Sequence, residues 1–146
     1  MRSQNLILLA LFALAAIGAK CQDEQIITKI EFTSLTRGYQ KEVFISPDSL
    51  TRIVNNRGEN SIFKRKLADG EWDNLVKSVG EIKMDEIPQL PSPTTRRAFD
   101  GARHSTLTIR TKGSEQWQHS FDDELPHEKL HPLMEVIKKM DGSETN

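Results

Sequence analysis

The sequence predicts an α+β fold: an antiparallel sheet made of about four strands, a helix, a two-strand hairpin and a C-terminal helix, with both helices on one face. Three observations carry that prediction. Apolar residues recur with period two between Ile26 and Leu67, and turn residues punctuate this stretch at short intervals. The apolar spacing then becomes helical after Asp69 and again from Leu130.

Ile26, Thr28, Ile30 and Phe32 alternate with Ile27, Lys29, Glu31 and Thr33, the pattern of a half-buried strand. Gly38 breaks the alternation and Glu42 to Ile45 resumes it. Pro47-Asp48 signals a tight turn before Leu50 to Val54, and Asn56-Arg57-Gly58 signals another before Ser61 to Leu67. Asp69 is placed to N-cap a helix carrying Trp72, Leu75, Val76 and Val79 on one stripe, with Gly80 weakening its end. Three prolines from Pro88 to Pro93 enforce an irregular, extended connection. A hairpin follows, with Leu107 and Ile109 on its first strand, Lys112-Gly113 at the turn, and Trp117, His119 and Phe121 sharing a face of the second. Leu130, Leu133, Met134 and Ile137 form the stripe of a last helix that ends before Asp141-Gly142. Such an order favours helices gathered on one side of an antiparallel sheet.

Residues 1–21 read as a secretory signal peptide. Arg2 supplies the positive start, Leu6 to Ala19 the apolar stretch, and Gln22-Asp23-Glu24 the polar flank. That leaves 22–146 as a single domain. Three fates of Cys21 follow: cleavage after it, lipidation of its thiol, or cleavage after Ala19. Lys20 sits where a lipidation motif wants a small residue, which disfavours a lipid anchor. Without Arg2 and Lys20 the body holds 18 basic against 21 acidic residues, the wrong balance for a nucleic-acid partner. No apolar run reaches the length of a membrane span. With one cysteine, no disulfide forms within the chain; that and the lack of an Asn-x-Ser/Thr sequon lean towards a bacterial envelope, periplasmic or secreted protein.

The run Ser92 to Ala102, the strand after it, then Phe121-Asp122 and Pro126 before a Leu-rich helix, resemble small exported bacterial proteins of unknown function. The resemblance covers about the last two-thirds of the chain. It implies an exported single domain and supplies no activity or functional residue.

The sharpest chemical motif is His127-Glu128-Lys129-Leu130-His131, a literal HExxH string. On a helix His127 and His131 would lie one turn apart and could bind zinc, with Glu128 as the catalytic residue activating water. Pro132 opposes this: inside a helix it would lack its donor and clash with the Glu128 carbonyl. It is better placed as the first residue of a helix, leaving the string in a turn. No histidine follows His131 to act as a third ligand; only Glu135, Asp141 and Glu144 lie downstream, and His104 or His119 from the hairpin would make a non-standard layout. Arg96, Arg97, Arg103 and His104, bracketing Asp100-Gly101, could clamp a carboxylate or phosphate; alternatively Asp100 pairs with one arginine and the rest stay solvated. His119 reads as a satisfied or edge-exposed histidine, and Asp122-Asp123-Glu124 as turn and cap residues. Glycine-rich phosphate loops and a GxSxG elbow are missing.

The expectation is therefore an exported, non-enzymatic binding or accessory module at the envelope, without a cofactor, taking a protein or a small anionic ligand. A zinc-dependent hydrolase and a small secreted inhibitor are the alternatives.

Overall fold

In the computed structural model, which describes residues 26–80, 82–98 and 101–143, six strands form one antiparallel sheet. The strands are β1 (Ile27–Thr36), β2 (Tyr39–Ser46), β3 (Ser49–Asn56), β4 (Glu59–Lys66), β5 (His104–Thr111) and β6 (Gln116–Asp122), in the spatial order β4-β3-β2-β1-β5-β6. Residues 1–21, expected to be a signal peptide and including Cys21, lie outside the described residues, as does Asp100. The fold is α+β and mostly sheet. No helix among the described residues is long and apolar enough to cross a membrane.

The first four strands form a meander because each connection is as short as a hairpin allows. Thr36 pairs with Tyr39, Ser46 with Ser49 and Asn56 with Glu59, leaving two residues in every loop. In the third, Arg57 and Gly58 both have positive φ (53° and 93°), the primed turn that matches the twist of paired strands. The β5–β6 hairpin then adds to the far side of β1, so the N-terminal strand lies mid-sheet.

The register lines inward side chains into rows crossing all six strands. One row runs Arg65, Leu50, Ile45, Ile30, Ile109, Trp117; the next runs Phe63, Arg52, Val43, Phe32, Leu107, His119. Helix α1 (Glu71–Val79) contributes Leu75 and Val79 to the same core, and α2 (His131–Asp141) contributes Leu133, Met134, Ile137 and Met140. A 3-10 segment, Met84–Gln89, adds Ile87. The indole of Trp117 donates to Asp85 in that segment at 3.3 Å.

Arg65 explains how the two helices meet the sheet. Its guanidinium pairs with Glu71 at the start of α1 (2.6 and 2.8 Å) and donates to the carbonyl of Met140 near the end of α2 (3.2 Å). The helices thus run in opposite directions. Arg52 donates to the carbonyl of Asp141, so two inward arginines satisfy carbonyls that a helix end leaves without partners.

Several expectations are corrected in detail. Gly70, not Asp69, precedes α1, with no side-chain cap; instead Glu71 accepts from the amide of Ala68 at 2.7 Å. The proline stretch is partly helical: Pro88 sits in the 3-10 segment, and the carbonyl of Asp85, which an amide at position 88 would have bonded, accepts instead from the Gln89 side chain at 3.4 Å. His119 is neither satisfied nor edge-exposed: it is buried, stacks on Phe121 at 5.5 Å between ring centres, and its Nε2 has no hydrogen-bond partner.

Candidate functional site

Two regions carry the sequence-predicted site residues, the HExxH string and the arginine cluster; a surface depression and the outer face of the sheet carry none of them.

The HExxH string straddles two elements. Glu128–Leu130 is a 3-10 turn capped by His127, whose Nδ1 accepts from the amide of Lys129 (3.3 Å). His131 opens α2, with Pro132 in the first turn, and its Nε2 lies 3.0 Å from the carbonyl of Pro126. Both imidazoles are thus engaged with nearby backbone instead of projecting from one face of a helix. Glu128 is exposed. Among the described residues, no three His, Cys, Asp or Glu side chains are grouped to hold a metal ion.

The arginines do converge, on two carboxylates that sequence reading had assigned to a turn. Asp122 is buried and takes a hydrogen bond from Arg97 (2.6 Å), from the amide of Arg96 (2.6 Å) and from the hydroxyl of Thr94. Burial raises its pKa, but the bonds from Thr94, Arg97 and the Arg96 and Arg97 amides outweigh burial and hold it down at about 2. Asp123 lies 3.8 Å from Arg96 and 3.7 Å from Arg103 and accepts from the Arg103 amide at 3.1 Å. Arg103 also stacks over Tyr39. The cluster ties the 92–98 loop and the approach to β5 onto the exit of β6. Its basic charge is largely neutralised by the two aspartates. No sequence signal linked Arg97 to Asp122, which stands 25 residues away.

A depression of about 520 Å³ lies at the opposite corner, lined by Pro47, Asp48, Lys66, Leu67, Asp69, Trp72 and Asp73 among others. Its acidic rim suits neither a phosphate nor a carboxylate ligand.

The fourth region is the outer face of the sheet. No helix of the described residues packs on it, since the buried residues of α1 and α2 all join the inward rows. Thr33, Thr106 and Ser120 form one outward row, and Thr51, Phe44, Glu31, Thr108 and Gln118 the next. Glu31 is held by Lys29 (2.7 Å) and by both arms of Arg110 (2.9 and 3.2 Å), while Lys29 lies over the ring of Phe44. Partial burial raises the pKa of Glu31, but its bonds to Arg110 and Lys29 prevail and lower it. On the β3–β4 side the same face carries the directly paired Ile53 and Ile62. Polar at one side and apolar at the other, this surface suits docking of a macromolecule more than enclosure of a small substrate.

Comparison with protein-family models, curated proteins and solved structures finds no match to this chain.

Proposed function

We propose that this protein is an exported, non-catalytic binding module of a bacterial envelope, acting as one domain and docking a protein partner on the outer face of its sheet. The observation that carries this reading is the outer face, which no helix of the described residues covers and on which the Lys29–Glu31–Arg110 charge cluster shares a side of the sheet with the Ile53–Ile62 pair. Ordered charges beside apolar surface provide direction and desolvation together, as docking surfaces require. The 520 Å³ depression and the neutralised arginine cluster offer a small anion less.

The test is cross-linking in intact cells of the exporting organism with a photoreactive residue placed at Gln118, followed by mass identification of the product. A specific adduct that disappears when Thr33 and Thr106 are both changed to Arg, while Glu128→Arg leaves it in place, supports the reading. Labelling that ignores the double change places recognition elsewhere. On this reading the purified chain also carries zinc far below one ion per molecule, and changing His127 or His131 to Ala does not alter that content.

A further inference from the structure

We propose that β4 pairs antiparallel with the β4 of a second copy, joining two sheets into one of twelve strands about a two-fold axis at Ile62. No described residue pairs with the outer edge of β4, and every residue of the strand except Arg65 is exposed. Ile62 is 64% exposed on the outer face and Phe63 40% exposed on the inner one. An exposed edge with apolar side chains on both faces is a template for pairing.

Hairpin geometry selects the register. The two-residue turn makes Asn56 and Glu59 a hydrogen-bonded pair, and bonded pairs alternate along an antiparallel ladder. Glu59, Ser61, Phe63 and Arg65 therefore spend their backbone groups on β3. Asn60, Ile62, Lys64 and Lys66 direct theirs outward. An antiparallel partner must match outward residues with outward residues, which excludes every register pairing an even position with an odd one.

Among the remainder, the register centred on Ile62 is the one in which charge and apolarity both fit. It sets Ile62 against Ile62 of the second copy, so Ile53 and Ile62 continue across the axis as a row of four isoleucines. It sets Glu59 against Arg65 of the second copy on the inner face, Phe63 against Ser61, and Lys64 against Asn60. The two Lys64 side chains fall four residues apart along the joined strands, about 13 Å, beyond the screening length at physiological salt. A shift of one pair, centred on Phe63, loses the Glu59–Arg65 contact and puts Lys64 against Ile62. A parallel arrangement would align Lys64, Arg65 and Lys66 with their own copies. The strand is thus acidic at its start and basic at its end, and complementary to itself only when antiparallel. The lysines guard against other pairings.

An eight-residue edge buries less than a permanent dimer needs, so the dimer dissociates on dilution through the micromolar range. The experiment is sedimentation velocity over a dilution series of the full chain, purified as the exporting cell processes it. The expected result is a monomer–dimer equilibrium that Ile62→Lys shifts to monomer, since that change sets two ammonium groups together at the axis. Ile62 is exposed, and a thermal melt checks that the variant is folded. In parallel, Ile62→Cys is oxidised. Cα atoms of such a pair lie about 5.5 Å apart, within the roughly 4.4–6.8 Å that a disulfide spans. A reducible covalent dimer is expected, with none from Gln118→Cys and with the unsubstituted chain as the control for Cys21. A monomer at every concentration, or a dimer indifferent to Ile62→Lys, overturns the proposal.

Discussion

Asp122 has one carboxylate and takes hydrogen bonds from two side chains and from the backbone of the 92–98 loop, so its charge holds that loop to the sheet. Folded, the group titrates at about 2, below its ordinary value of 3.8. The folded state therefore binds fewer protons than the unfolded chain across that interval, and the stability it contributes is present above 3.8 and lost as pH falls to about 2. Asp122→Asn is expected to lower the melting temperature at neutral pH and to make almost no difference at the acid end of the interval. Thermal melts of both chains across the acid range check this. His119 acts in a milder window. Burial, with the nearby charges of His127 and Arg97, lowers its pKa below 6.5. Its contribution is full above the ordinary histidine value and falls as pH drops from there through the folded value. His119→Phe removes both the titration and the orphaned Nε2, and is expected to raise the melting temperature more at mildly acid than at neutral pH. An equal change at both would overturn the assignment. The arginines were legible as a cluster because they are near neighbours in sequence, whereas Asp122 and His119 depend on a hairpin register that composition does not disclose. The HExxH string was legible as letters, but Pro132 decided its geometry, stopping the helix from extending back through it.

At the level of elements, period and turn chemistry made the strands and both helices readable, because burial alternates along most strands and two-residue turns leave Gly38 and Gly58 few alternatives. The inward charges on β2, β3 and β4 were not readable. Lys41, Arg52 and Arg65 interrupt the apolar alternation, and their cause is the C-terminal end of α2, which arrives from 75 to 100 residues away in sequence. Lys41 lies 2.8 Å from Asp141 Oδ2, an ionic contact outside hydrogen-bonding alignment, and 3.4 Å from Glu124. Both Lys41 and Asp141 are buried. Losing one member of a buried pair strands the other, which costs about 3–5 kcal/mol, whereas removing both charges together is far milder. Lys41→Met is therefore expected to destabilise the fold by about that amount, and adding Asp141→Asn to restore much of it, since the amide still accepts from Ser143. Urea unfolding of the two singles and the double gives the coupling energy directly. Additive costs would mean that Lys41 and Asp141 are not coupled, leaving the carbonyl contacts to Arg52 and Arg65 as the polar ties of α2 to the sheet.

For the whole molecule, the inward rows cross every strand without a gap, from Arg65 to Trp117 and from Phe63 to His119, and both helices pack against the same apolar cluster. No boundary divides this core among the described residues, so opening any strand exposes its neighbours' apolar surface. Function was the least legible property, for a related reason: folding chemistry absorbs the charges that looked functional, and the face left over is defined by what does not cover it. Two tryptophans report on the core from different elements, Trp117 on β6 and Trp72 on α1, the latter packed against the apolar cluster from its side. If the molecule is one cooperative unit, replacing either tryptophan by Phe leaves the other's fluorescence transition coincident with loss of far-ultraviolet circular dichroism in urea. A Trp72 transition at lower urea than that of Trp117 would mean that α1 detaches first. The open face would then be the more rigid of the sheet's two sides, and partner binding there would leave α1's detachment transition unchanged.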